Sequence, residues 1–389
     1  MRDFIFYAPT KVFFGKEKEN MVGEIVSSYG FKKIMLQYGK GSIKNGGLYD
    51  RIITSLKNAE IEVVEVGGVE PNPKLDFIRN AVKIAKEEKV ELVLAVGGGS
   101  VIDSSKFTAL GAANDFDVWE LPTGKSKPKA ALPVACVLTL AAAGSEMSAS
   151  AVMTNMEENA KRGFGSDFNR PLFAICNPEL TYTVNKYHTA CGITDIMAHT
   201  MERYFFPCED TPLTDRVAEA ILKSVIEAGR VLMTDPENYE ARATVMWGSS
   251  LSHNNLTGCG RENALAVHQL EHALSGEFDK VAHGAGLAVL FPAWGRYVYK
   301  ENLPRFAQFA RRVWDVCEED DERAALLGIE AMEGYFAEIG MPTRLKDFEI
   351  ENCAERLADL CTFGKSRVIN SYIPLDFDAV KEIFERCYD

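Results

Sequence analysis

A carboxylate and a cluster of imidazoles in the second half of the chain have the types and spacing of a cation site. Asp195 and His199 stand four apart, which on a helix places both on one face. His268-Gln269-Leu270-Glu271-His272 repeats that spacing, and His283 follows. Half of the chain's six histidines thus crowd between 268 and 283. Asp195, His199, His268 and His283 make a set of three neutral imidazoles and one carboxylate that suits Fe2+ or Zn2+, and ligand type does not separate the two. A single helix histidine is more often structural, and His188 and His253 are read that way. His268 to His272 also fits the H-x-x-E-H pattern of inverted zinc peptidases, with Glu271 activating water. That reading leaves two glycine-rich turns without a role. A catalytically dead nucleotide-binding protein would keep those turns and lose the Asp/His set, which is complete here.

The turns offer a second chemistry. In Val93-Leu94-Ala95-Val96-Gly97-Gly98-Gly99-Ser100 an apolar run enters three glycines and then a helix start. Glycines allow close backbone approach to a bulky anion, and the helix offers free N–H groups and the positive end of its dipole. A tight turn that binds nothing is the other reading, and the pattern is not G-x-G-x-x-G. In the second turn, Gly39, Lys40, Gly41 and Ser42 follow an earlier apolar run. An acid after such a strand would accept from the ribose 2′-OH of NAD and repel a 2′-phosphate. The turn holds Lys40 and no acid, which favours NADP over NAD unless Lys40 is merely solvated.

The elements that must hold these groups are legible as periodicity. Strand-like runs at 33–38, 61–66 and 90–96 alternate with helical spacing at 43–57 and 74–88, and buried strands are expected at 133–140 and 172–175. This order predicts an α/β N-terminal dinucleotide-binding domain with a parallel sheet, residues 1–185. Beyond it helices are expected at 193–204, 215–232, 239–251, 264–274, 303–317 and 321–339. Residues 186–389 therefore read as an all-α C-terminal domain carrying the metal.

Composition bounds the function. A length of 389 residues allows two domains, and 47% hydrophobic with 25% charged residues is ordinary globular composition. A net charge of −13 argues against a sequence-independent hold on nucleic acid or an anionic membrane. No secretory signal is read, since Pro9 and Lys11 interrupt the start, and no membrane span, since the longest apolar run, 130–144, contains Pro133 and Thr139 and is too short. Nine scattered cysteines, Cys208 among them, form no C-x-x-C pair and fit reduced thiols in a cytoplasm.

Along essentially its whole length the chain resembles the iron-containing (group III) alcohol dehydrogenases, in the branch of NADPH-dependent butanol dehydrogenases and broad-range aldehyde reductases. The likeness rests on Pro9 to Lys16, Glu70-Pro71-Asn72-Pro73, Ala95 to Lys106, Gly144-Ser145-Glu146, Asn177 to Thr183, Asp195 to His199, His268 to His283, and Leu287 to Trp294. It implies a dehydroquinate-synthase-like fold with NADP(H) and one divalent metal in a cleft between the domains. It implies interconversion of small aldehydes and primary alcohols by hydride transfer, and a homodimer. The family's ligands fall on Asp195, His199, His268 and His283, with His272 beside the metal as a proton carrier. Gly97, Gly98, Gly99 and Ser100 match the pyrophosphate turn, and Gly39, Lys40, Gly41 and Ser42 the 2′-phosphate turn. Asp103 and Lys161 match polar residues near the nicotinamide ribose and count with His272 as catalytic candidates, and Thr139, Ser145 and Tyr182 match positions lining the cofactor. Trp247, Phe164 and Leu256 are candidates for the substrate pocket. In the family the fourth ligand usually lies one position nearer the third, so a loop around 277–281 must absorb an extra residue. Lys40 also stands where a glycine is common.

Overall fold

The computed structural model describes residues 1–206, 210–262 and 264–388, so Cys208 and Asp389 lie outside the described residues. Two compact units are present: Tyr7–Val184, and Asn185–Asp389 together with Met1–Phe6. The first six residues thus go with the helical unit, where the Arg2 N–H donates to Gly260 O at 2.9 Å.

The α/β unit carries strands β1 (Lys11–Phe14), β2 (Lys33–Gly39), β3 (Glu62–Val69), β4 (Leu92–Gly97), β5 (Val134–Leu138), β6 (Ser150–Asn155), β7 (Ala160–Gly165) and β8 (Phe173–Cys176). Its helices are α1 (Val22–Ser28), α2 (Ser42–Asn45), α3 (Leu48–Asn58), α4 (Leu75–Glu88) and α5 (Gly99–Ala112). Six strands form one parallel sheet in the order β1-β8-β5-β4-β2-β3. The strand period of two decides which helix each side chain meets. Ile34, Leu36, Leu92, Leu94 and Val96 pack with Val22, Ile25, Ile52 and Leu56 of α1 and α3. Met35 and Val93 point the other way, onto Ala81, Ala85 and Ala109 of α4 and α5. A strand covered on both faces reads as an unbroken apolar run, which is why β4 is fully buried.

Several sequence expectations are corrected here. The single helix over 43–57 is two, broken at Gly46 and at Gly47, whose φ of 70° a side chain disfavours. The apolar run 130–144 contributes only β5. The antiparallel pair β6–β7 escaped the sequence reading, because its alternation mixes Lys161 and Arg162 with apolar residues.

In the helical unit lie α6 (Lys186–Phe205), α7 (Pro212–Thr234), α8 (Tyr239–His253), α9 (Ala266–Glu277), α10 (His283–Val298), α11 (Leu303–Val313), α12 (Asp321–Glu338), α13 (Ala354–Cys361) and α14 (Phe377–Arg386). α6 starts seven positions before the expected 193, where Asn185 caps it by accepting from the His188 N–H. α11 stops at Val313 rather than at 317. α10 is absent from the sequence expectation, since it is buried almost all round and contains Pro292, leaving no amphipathic stripe to read. It approaches α6 closely: a Cβ added at Gly284 would lie 2.1 Å from Cys191 O. No described helix is long and apolar enough to cross a membrane.

Candidate metal centre and nucleotide turn

Helix α6 puts Asp195, His199, Glu202 and Arg203 on one face, spaced at four, seven and eight residues. His268 comes from the first turn of α9, and His283 is the first residue of α10. The structure brings Asp195, His199, His268 and His283 together. Their Nε2 atoms lie 3.3 Å (His199), 3.4 Å (His268) and 3.7 Å (His283) from Asp195 Oδ1. A tetrahedral ion with bonds of about 2.1 Å keeps its ligand atoms roughly 3.4 Å apart. Asp195, His199 and His268 cluster at a spacing that suits a divalent cation, while His283 approaches Asp195 and also groups with Glu271 and His272. Asp195, His199 and His268 are buried, and His283 is partly so.

The other ring nitrogen of each histidine is also held. His268 Nδ1 meets Glu202 Oε2, and His283 Nδ1 meets Glu271 Oε2. His199 Nδ1 lies 2.8 Å from His253 Nδ1. Such outer bonds fix which nitrogen faces a metal. Burial first, and then neighbouring His253, hold His199 well below the ordinary imidazole pKa, so it is neutral and able to ligate. Burial opposes charge on His268, but Glu202 and Asp195 outweigh it and raise its pKa to about 9. An ion entering this site has to displace that proton.

His272 follows Glu271 on α9, partly buried, with its ring 5.7 Å from that of His283. Glu202, Glu271 and His253 were not among the expected site residues. Glu202 sits three residues past His199 and Glu271 three past His268, an offset that the helical period could have exposed. His253 lies on α8 and carries no such signal; reading it as a generic structural residue misses its place on His199.

In the α/β unit, Gly97 ends β4, Gly98 caps α5, and Gly99 and Ser100 begin it. A Cβ on Gly97 would meet Val101 Cγ2 at 2.5 Å, whereas one on Gly99 would touch Ala143 at an ordinary 3.5 Å. The glycine at 97 is therefore explained by packing, and the one at 99 is not. Thr139, just past β5, donates its N–H to Gly97 O. Asp103 of α5 accepts from Ser145 Oγ at 2.6 Å and from the Val152 N–H at 2.9 Å. Burial raises its pKa, while Lys106, Ser145, the Val152 N–H and Lys161 of β7 draw it back down. Lys106 is buried beneath, donating to Ser145 Oγ at 2.8 Å and Ser150 O at 2.7 Å. Tyr182 lies just past Pro178–Thr181 and is partly buried. Phe164 of β7 packs onto the core around Phe107, while Trp247 and Leu256 belong to the helical unit.

Gly39 ends β2, and Lys40 is largely exposed. The turn itself holds no acid, yet β3 delivers one. Parallel pairing sets Gly39 opposite Val69, so the next residues meet, and Lys40 Nζ lies 2.6 Å from Glu70 Oε1.

Comparison with known proteins agrees over both units. The iron-containing alcohol dehydrogenase model matches residues 9–178, and the C-terminal model of the Fe-containing alcohol dehydrogenase family matches 189–388. A probable NADH-dependent butanol dehydrogenase of Bacillus subtilis is 42% identical, covering 95% of this chain and 97% of its own. An NADPH-dependent aldehyde reductase of Escherichia coli is 37% identical over 90% of each chain. The crystal structure of an NADH-dependent butanol dehydrogenase from Thermotoga maritima superposes with a TM-score of 0.97 at 37% identity, over 100% of this chain and 99% of that one.

Proposed function

The chain belongs to the iron-containing alcohol dehydrogenase family, enzymes of alcohol–aldehyde oxidoreduction, and from that premise we propose that it interconverts aldehydes and primary alcohols in a butanol-dehydrogenase-like reaction with NADP(H). The observation that carries this reading is the convergence of three Nε2 atoms on Asp195 Oδ1, with every outward Nδ1 tied. Asp195, His199, His268 and His283 hold one divalent ion, Fe2+ or Zn2+. When bound, the metal polarises the carbonyl oxygen and the nicotinamide gives or takes the hydride. Asp195 offsets part of the cation's charge. His272, beside His283, holds the proton exchanged with the substrate oxygen. Gly97 to Ser100 cradle the pyrophosphate with backbone N–H groups, and Asp103 and Lys161 orient the nicotinamide ribose. Thr139, Ser145 and Tyr182 line the cofactor.

Lys40, on the turn Gly39-Lys40-Gly41-Ser42, supports NADP(H), because an ammonium there would pair with a 2′-phosphate. The Lys40–Glu70 pair favours a second reading, NAD(H), with Glu70 accepting from a 2′-OH and neutralising the lysine. The test is metal analysis of the purified protein with NADPH and NADH assayed over straight-chain aldehydes. One bound ion and a higher kcat/KM with NADPH are expected. Equal or better NADH turnover rejects the NADP reading, and aldehyde reduction that survives chelation and dialysis rejects the metal.

The reading extends to a cytoplasmic homodimer. The described cysteines are all free, which suits a reducing compartment, and the exposed apolar side chains of Phe4, Ile5 and Phe6 suit a second copy. Light scattering tests the dimer.

A further inference from the structure

Resting on the metal reading above, we propose that His253, backed by Arg203, is the positioning residue that fixes His199 in the tautomer able to bind the metal. Two imidazole nitrogens 2.8 Å apart share one proton, so one of His199 Nδ1 and His253 Nδ1 donates and the other accepts. Arg203 decides which. Its Nη2 lies 3.2 Å from the same His253 Nδ1, and a guanidinium only donates. His253 Nδ1 is therefore the acceptor and the proton sits on His199 Nδ1. That leaves the His199 lone pair on Nε2, the atom 3.3 Å from Asp195 Oδ1.

The device is rigid. Arg203 is buried, and its Nη1 donates to His199 O at 2.7 Å and to Ser252 O at 3.2 Å, tying the last turns of α6 and α8 together. The His199 and His253 rings lie 3.8 Å apart between centroids. An imidazole also suits the charge of the site. Once the His268 proton is displaced, the carboxylates of Asp195, Glu202 and Glu271 and the guanidinium of Arg203 leave a deficit that one divalent ion closes. A carboxylate at 253 would leave a buried net negative charge, and an aliphatic residue would leave two buried donors unmet.

The test uses the full-length enzyme, stripped of metal and reloaded with Zn2+ against a chromophoric chelator. His253→Leu should lower Zn2+ affinity ten- to a hundredfold, the usual scale for an outer partner of a ligating histidine. His253→Asn, whose side-chain oxygen can accept at the Nδ1 position, should restore most of it. Wild-type affinity in His253→Leu overturns the proposal, as does an equal loss in both variants. In parallel, nitrogen NMR of histidine-labelled, metal-free wild type should find His199 protonated on Nδ1; protonation on Nε2 overturns the proposal without any variant. Wild-type protein that takes up no Zn2+ overturns the metal reading instead.

Discussion

Around the β4–α5 turn the main chain carries the candidate chemistry: Gly97 and Gly98 lead into the first turn of α5 and the positive end of its dipole. Around Asp195 side chains carry it, drawn from α6, α9 and α10 and oriented by Glu202, Glu271 and His253. A backbone site needs one local βα unit and tolerates any side chain that leaves the approach open. A side-chain site needs several helices in register and a partner for every polar atom, so it fails when one group is lost. The two regions should respond differently to the same kinds of change.

The sharpest separation is expected from His268→Ala or Asp195→Ala. Bound metal should be lost and kcat/KM for aldehyde should fall by roughly 10³-fold, the worth of several kcal/mol of charge stabilisation. Nucleotide affinity, read by fluorescence titration, should stay near wild type; a matching loss there would break the comparison.

Next comes Lys106, the buried charge of the α/β unit. Burial pushes its pKa down to about 8, against the pull of Asp103, from an ordinary 10.5 in the unfolded chain. Between those values the unfolded chain holds a proton that the folded one has released, so this contribution to stability rises with pH. Below pH 8 both states are protonated and the cost of burial is felt in full. The window is worth about 3 kcal/mol. Urea midpoints of wild type should therefore gain on those of Lys106→Met between pH 8 and pH 10, and parallel curves would remove the argument.

Gly99→Ala should fold with a near-normal Tm, since its Cβ meets only Ala143 at 3.5 Å. Nucleotide binding should weaken roughly ten- to a hundredfold, the cost of losing a backbone contact to phosphate, with metal content unchanged. Unaltered nucleotide affinity would return the glycines to plain turn-formers. The smallest effects belong to the exposed Lys40–Glu70 pair. Lys40→Ala should cost NADPH a few-fold and NADH less, and Glu70→Gln should shift preference toward NADPH, both within about 1 kcal/mol. Equal effects on both cofactors would mark Lys40 as a solvated surface lysine.

The same contrast governs what could be read from sequence. Strands β2 and β4, their glycine turns and helix α4 are local, and hydrophobic period and glycine placement expose them. Asp195 and His199, and His268 and His272, show through helical spacing. What escaped depends on neighbours distant in the chain. His253 meets His199 because α8 packs beside α6, and Glu70 meets Lys40 because β3 pairs with β2 in a register that only the folded sheet displays. Helix α10 stayed hidden because a segment buried on all sides has no polar face to betray its period.

His283 opens α10, and α10 is pressed against α6 through Gly284. Its place opposite Asp195 is thus inherited from the helix pair rather than from the length of the 278–282 connection. That frees the connection to change its residue count without detuning the centre. It is accordingly the natural splice point for a foreign segment, such as a reporter peptide grafted a few residues from the proposed metal centre.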